Sequence, residues 1–207
     1  MVSVESFRPH LESDLKKQLI PSTVLLDTLR LINDGDRKSS AYVDPNYMPF
    51  YYHLGKYITP QNMVEFGVGI GFSSACFLKS CKSVKSFLGF QELGSQFYSK
   101  RLAARNLKSV YREEMDLYAG RYKDQDLVDK IQSRKWDLVI CNEELSYDKH
   151  IYILDRIWEQ MNLDGYLIMD YVNAHEPAKE AFANFCKIKN RERIVFPTRY
   201  GVGIVQR

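Results

Sequence analysis

Three glycines alternate in Glu65-Phe66-Gly67-Val68-Gly69-Ile70-Gly71, with an acid two residues before the first. Spaced this way they let the backbone take positive φ and approach a ligand with no Cβ in between. Phe72, Ser73 and Ser74 follow, where a helix is expected to open, and its free N–H groups and dipole favour a polar or anionic ligand edge. Further polar groups stand where later apolar runs end: Gln91 and Glu92, Asp116, then Asn142, Glu143 and Glu144, then Asp170 with His175 close behind. Carboxylates and a histidine in such places can accept hydroxyl hydrogens or take a proton from a nucleophile. Together the set could hold a nucleoside-sized ligand and accept a proton beside it.

The spacing narrows the ligand. A dinucleotide fingerprint needs G-x-G-x-x-G, but counting from Gly67 the third position is Phe72, and from Gly69 it is Ser74. A nicotinamide oxidoreductase is therefore disfavoured. An acid ending the second strand of a nucleoside-binding sheet can accept from both ribose hydroxyls, and here either Gln91, as an amide, or Glu92, if the strand runs one residue longer, is placed to do so.

These groups need a scaffold to bring them together. From residue 62 the pattern alternates strand and helix, as in a parallel sheet with helices on both faces. Strands are expected at 62–66, 86–90, about 109–113, 136–141 and 165–170. Helices are expected near 72–81, 94–106, 122–133, 148–161 and 175–188. A closing hairpin pairs 193–197 with 202–206 across a turn near Gly201. Before this, Leu11, Leu15 and Leu19 recur at helical spacing up to Pro21, and Ser22 or Thr23 can cap a second helix through Leu25 to Ile32. The acidic run 33–36 lacks the twelve-residue calcium-loop pattern and is expected to be a solvated turn. The aromatic stretch 42–53 is expected to pack the N-terminal helices on the sheet, with lining a substrate pocket as the alternative. Residues 1–58 then form a helical cap within the same domain as 59–207.

Composition sets outer bounds. With 207 residues the chain is long enough to bury one sizeable core. A net charge of +3, from 29 basic and 26 acidic residues, is too balanced to argue for nucleic acid, and the basic clusters around Lys82 and Arg105 are expected to be solvated helix faces. Four cysteines without a C-x-x-C pair suggest reduced thiols, with neither a zinc site nor a disulfide framework. No apolar run is long enough to cross a membrane and no signal-peptide core is present, so the expected location is cytoplasmic.

Taken in order, the motifs resemble those of class I S-adenosylmethionine-dependent methyltransferases. Glu65 with G-x-G-x-G matches the family's first motif. The stretch Asp137-Leu138-Val139-Ile140-Cys141-Asn142-Glu143-Glu144-Leu145-Ser146-Tyr147 resembles D-L-V-F-I-D-G-D-H-S-Y of small-molecule O-methyltransferases related to the catechol type. Residues 163–173 resemble that group's fifth strand. The resemblance implies a Rossmann-like α/β fold, three layers α/β/α, with a mostly parallel seven-stranded sheet whose last strand inserts antiparallel. It implies S-adenosylmethionine as cofactor, held by Glu65, Gly67, Gly69, Gly71, Phe72, Ser73, Gln91 or Glu92, Asn142, and Asp116 at the adenine. It also implies a small-molecule acceptor, most simply a hydroxyl, and a possible homodimer. Where metal-dependent members hold a cation, this chain has Asn142, Asp170 and Tyr171, and their histidine is Leu145. One carboxylate, an amide and a phenol suit a hard cation poorly, so no metal is expected. Glu143, Glu144, Asp170 and His175 remain as groups to remove or orient the acceptor's proton. The same departures leave a degenerate binding or scaffold subunit as the alternative reading.

Overall fold

The computed structural model describes residues 2–17, 24–25, 28–31, 46–94 and 99–207. The expected caps Ser22 and Thr23, parts of the helix expected through Ile32, the turn at 33–36, residues 42–45 of the aromatic stretch and residues 95–98 of the helix expected from 94 lie outside these residues. Helix α1 spans Val4–Lys17 and α2 spans Tyr47–Tyr57. Strands and helices then alternate: β1 Asn62–Phe66, α3 Phe72–Ser80, β2 Ser86–Glu92, α4 Lys100–Val110, β3 Glu114–Gly120, α5 Gln125–Gln132, β4 Trp136–Cys141, α6 Tyr147–Gln160, β5 Met161–Asp170 and α7 Glu176–Ile188. The hairpin of β6 Arg193–Phe196 and β7 Val202–Gln206 closes the chain.

The seven strands lie in the order β3-β2-β1-β4-β5-β7-β6. All are parallel except β7, which inserts antiparallel between β5 and β6. The order reverses between β1 and β4, and a ligand site belongs in the crevice beyond the carboxyl ends of such a switch point. Those ends are aligned by register, with Phe66 level with Phe90 on one side and Cys141 on the other.

The central strands β1, β2 and β4 are buried on both faces, as their runs of branched and aromatic residues require, while the edge strands β3 and β6 are partly exposed. On β4, Leu138 and Ile140 join the core under α1 to α4, while Val139 and Cys141 join the core under α5 to α7. Glu65 shares the α3 side with Met63, so strand alternation alone turns its carboxylate toward the opening of α3. All four cysteines are buried free thiols. Among the described residues no helix is long and apolar enough to cross a membrane.

Two strands do not begin where the pattern placed them. Residues 109–113 begin as the last turn of α4, whose start is capped by Ser99 accepting from the Leu102 N–H, and β3 starts only at Glu114. Short apolar runs such as Val110-Tyr111 suit either state, and the amphipathic helix takes them here. β5 likewise begins at Met161, earlier than expected, with Asp164 at φ 66 beside a register irregularity against β4.

Candidate functional site

The glycine turn takes the backbone its sequence requires. Gly67, Gly69 and Gly71 have φ of 88°, 52° and 82°. The Gly67 and Val68 N–H groups donate to Phe90 O at 2.9 and 3.1 Å, and the Asn142 N–H donates to Phe66 O at 2.8 Å. The ends of β1, β2 and β4 are thus tied together around the turn. A Cβ on Gly67 would lie 2.2 Å from Asn142 O, so the turn packs directly on the loop after β4. Gly71 is the N-cap of α3, and Phe72, buried, is its first residue.

Glu65 is fully buried beneath the turn. Its two carboxylate oxygens accept from the hydroxyls of Ser73 and Ser74, and Asn142 Nδ2 donates to it at 3.2 Å. Burial pushes its carboxyl up, and these three donors oppose that shift. The acid therefore braces the turn, the start of α3 and the end of β4 at one point.

Gln91 is the strand-end group that faces the turn, and Glu92 is not. Gln91 is buried, with Oε1 accepting the Gly69 N–H at 2.8 Å. Its Nε2 donates to Glu143 Oε1. Glu92 points away and pairs with Lys149 at the start of α6, at 2.8 Å. Asp116 also falls outside the site. It lies within β3, opposite Leu88, two residue pairs short of the level of Phe66, and it pairs with Lys130 of α5. Two strand residues amount to roughly 7 Å. Asp116 thus stands in the body of β3 and not in the loop after it, because the strand begins later than the sequence pattern placed it.

The four groups read as proton acceptors separate. Glu143 lies over Gly67 and is held by Gln91, while its Oε2 is buried without a hydrogen bond. Burial, with Glu92 and Glu65 nearby, pushes its carboxyl up to about 7. Glu144 is exposed on the same loop. His175 is the N-cap of α7, its ring 6.1 Å from that of His150. Asp170 is buried at the end of β5, and Tyr51 Oη donates to its Oδ1 at 2.7 Å.

That tyrosine was not singled out in the sequence. Tyr47 and Tyr51 sit one turn apart on α2, both buried, and Asn142 Nδ2 also donates to Tyr47 Oη at 2.6 Å. Burial and the charge of Asp170 hold both phenols well above their ordinary range, so they remain donors. The i, i+4 pair in the aromatic stretch was the available signal, since it puts two hydroxyls on one helix face. From Tyr47 on, the stretch packs with α1 and α3 and sets Phe50 against Phe196 of β6, and it also meets Asn142 and Asp170, two of the three positions compared with a cation site. Tyr171, the third, has φ 65, an uncommon conformation for a bulky residue. Among the described residues, no group of three His, Cys, Asp or Glu side chains could hold a metal ion.

A separate cavity of about 310 Å³ lies between α5 and α6, lined by Tyr122, Leu127, Ile131, Tyr152 and Arg156 among others. It runs along the helix layer and does not include the glycine turn.

The raised carboxyl of Glu143 gives a stability prediction. Its folded pKa lies above the ordinary 4.5, so its stabilising contribution is complete below about 4.5 and is lost as pH rises through about 7. His150 acts oppositely: burial lowers it to about 4, so stability is lost as pH falls from 6.5 toward 4. The two offset in the wild type and are separated by Glu143→Gln. Thermal melts are expected to show this variant more stable than wild type at pH 8, with the gap closing or reversing at pH 5. An equal gap at both pH values would contradict the assignment.

No family model matches the sequence, and no curated protein does. Solved structures match it along nearly the whole chain. The methyltransferase PaMTH1 of Podospora anserina, bound to SAH, has a TM-score of 0.63 and 12% identity, covering 99% of this chain and 97% of that one. The O-methyltransferase from Bacillus cereus in complex with SAH has 0.62 and 11%, covering 94% and 91%. The O-methyltransferase TomG from Streptomyces achromogenes, in complex with SAM, has 0.60 and 13%, covering 93% and 88%. At these identities the shared property is the fold. The chain has the Rossmann-like methyltransferase architecture, in agreement with the resemblance read from its motifs.

Proposed function

We propose that this chain is an S-adenosylmethionine-dependent methyltransferase that acts on a hydroxyl of a small molecule without a catalytic metal. One observation carries the reading. At the switch point of the sheet, a positive-φ glycine turn is packed against the β4 loop and braced from beneath by buried Glu65. Solved proteins of this fold hold SAH or SAM, and the residues here fit such a group. The three positive-φ glycines carry the backbone round the ends of the strands without side chains, and a buried carboxylate oxygen of Glu143 beside the turn has no donor. Gly67, Gly69 and Gly71 with the start of α3 would hold the amino-acid end, and Gln91 and Glu143 the nucleoside. When bound, the cofactor supplies a methyl group on an already electrophilic sulfonium.

The protein is left to orient the acceptor and exclude water. Asp170 is the carboxylate suited to hold the acceptor's proton: it is buried at the end of β5, and the Tyr51 hydroxyl fixes its orientation. Glu143 is engaged at the turn and Glu144 is exposed, so neither competes well for that role. The donor set argues against a cation. Asp170 is the single carboxylate among the three compared positions, and Tyr51 and Tyr47 already engage Asp170 and Asn142. In a methyl-transfer assay against a panel of phenols and alcohols, Asp170→Asn is expected to lower kcat on the order of 100-fold. Chelator should leave the wild-type rate unchanged. A rate that collapses with chelator and recovers with magnesium would overturn the metal-free reading.

A second reading has its own support. Glu143 over Gly67, and Tyr47 and Tyr51 over Asn142 and Asp170, place the chain's own side chains across the carboxyl ends of the strands. A binding or scaffold subunit without catalysis fits that filling. Turnover of any acceptor removes it.

A further inference from the structure

A vicinal diol needs oxygen acceptors, and β2 ends in an amide whose two ends are both engaged. Gln91 Oε1 accepts the Gly69 N–H at 2.8 Å, and Nε2 donates to Glu143 Oε1. Gln91 is therefore a clamp between the glycine turn and a carboxylate that arrives from the other side of the switch point. That carboxylate is held close. A Cβ on Gly67 would come within 2.3 Å of Glu143 Cγ, so the side chain lies against the turn instead of extending to solvent. The Glu92 backbone N–H also faces this carboxylate, and its second oxygen, Oε2, is buried with no hydrogen-bond partner of its own. A buried acceptor left without a donor is costly, and native structures rarely leave one without a reason. The missing partner is a donor, and a charged acceptor rewards a hydroxyl more than an amide would. Glu92, the other acid at the end of β2, is turned outward to Lys149 and cannot supply the charge.

We infer that Gln91 and Glu143 together form the seat for the ribose diol of the cofactor, with the carboxylate supplied from the loop after β4 and the strand-two amide serving to hold it in place. The inference rests on the cofactor reading above and specifies which side chain recognises the sugar. Glu143 is then a binding residue, and the acceptor's proton is left to Asp170.

The test is calorimetric titration of the full chain at pH 8, above the value of about 7 at which Glu143 titrates, with S-adenosylhomocysteine and with its 2′,3′-dideoxy analogue. A hydrogen bond to a charged group corresponds to roughly a ten- to hundredfold change in affinity. Wild type should prefer the diol by that factor. Glu143→Gln should lose the preference, with the dideoxy analogue bound as before. The paired exchange Gln91→Glu with Glu143→Gln keeps an amide–carboxylate pair and moves the charge to β2, so it should restore the preference. Melting curves establish that each variant is folded. A diol preference retained by Glu143→Gln overturns the inference and leaves the cofactor reading standing. Tighter binding of both ligands by Glu143→Gln also overturns it, since the side chain would then be an obstruction. Wild type that binds neither ligand overturns the cofactor reading and the inference with it.

Discussion

Glu65→Ala is expected to lower affinity for S-adenosylhomocysteine more than 100-fold, equivalent to roughly 3 kcal/mol, and to destabilise the protein as well. The carboxylate is fully buried and receives the Ser73 and Ser74 hydroxyls and the Asn142 amide. Alanine leaves those donors facing a void. Each unsatisfied buried group costs about 1–3 kcal/mol, so the sum is several kcal/mol, reduced where the serine hydroxyls rotate to other acceptors. For a chain of this length that corresponds to a fall in Tm on the order of 10 °C. Binding suffers beyond the loss of stability because the three donors belong to the start of α3 and the end of β4, the two walls of the turn. Glu65→Gln separates the two effects. It keeps the volume and one carbonyl acceptor, and the rotatable hydroxyls can reorient toward its amide. Its melting temperature should stay near that of wild type while part of the affinity is lost. Wild-type affinity in folded Glu65→Ala would remove the acid from the site.

The second large effect belongs to Gly67. Gly67→Ala places a methyl 2.2 Å from Asn142 O and 2.3 Å from Glu143 Cγ, at a φ of 88° that L-residues rarely adopt. The first clash is with backbone and cannot be relieved by a rotamer change. The turn and the β4 loop must part, at an expected cost of at least about 3 kcal/mol. Gly94 provides the control. Its φ is 91°, and among the described residues nothing lies within 4 Å of the Cβ it would carry. Gly94→Ala bears only the left-handed strain, about 1–2 kcal/mol. Denaturant melts of the two variants therefore separate strain from collision. Equal losses would mean that the close approach of the turn to β4 is not maintained in solution.

Much of the scaffold was legible because it is written locally. β1 and β4 lie where the apolar runs placed them, and the closing hairpin follows from Gly201 between two alternating segments. The three glycines announced positive φ, and all three adopt it. What escaped the sequence depends on distant partners. Tyr51 meets Asp170 from 119 positions away, and no local pattern records that contact. Gln91 and Glu92 are adjacent and chemically similar in reach. Their roles separate only when strand alternation turns one inward to Gly69 and Lys149 on α6 draws the other out. Asp116 sits elsewhere than expected for a local reason. Val110 and Tyr111 suit a strand as well as a helix end, and the slip moved the acid from beyond the strand into its body. The departures at Asn142 and Tyr171 were visible from the start, but the roof of tyrosines above them was not.

Calorimetric titration of S-adenosylhomocysteine into the wild-type chain, with folded Glu65→Ala alongside, tests the central claim most directly. The account predicts saturable one-to-one binding in the micromolar range that Glu65→Ala abolishes. Absence of binding to the wild type at millimolar ligand would contradict it, leaving a methyltransferase fold whose glycine turn is filled by its own Glu143 and Gln91.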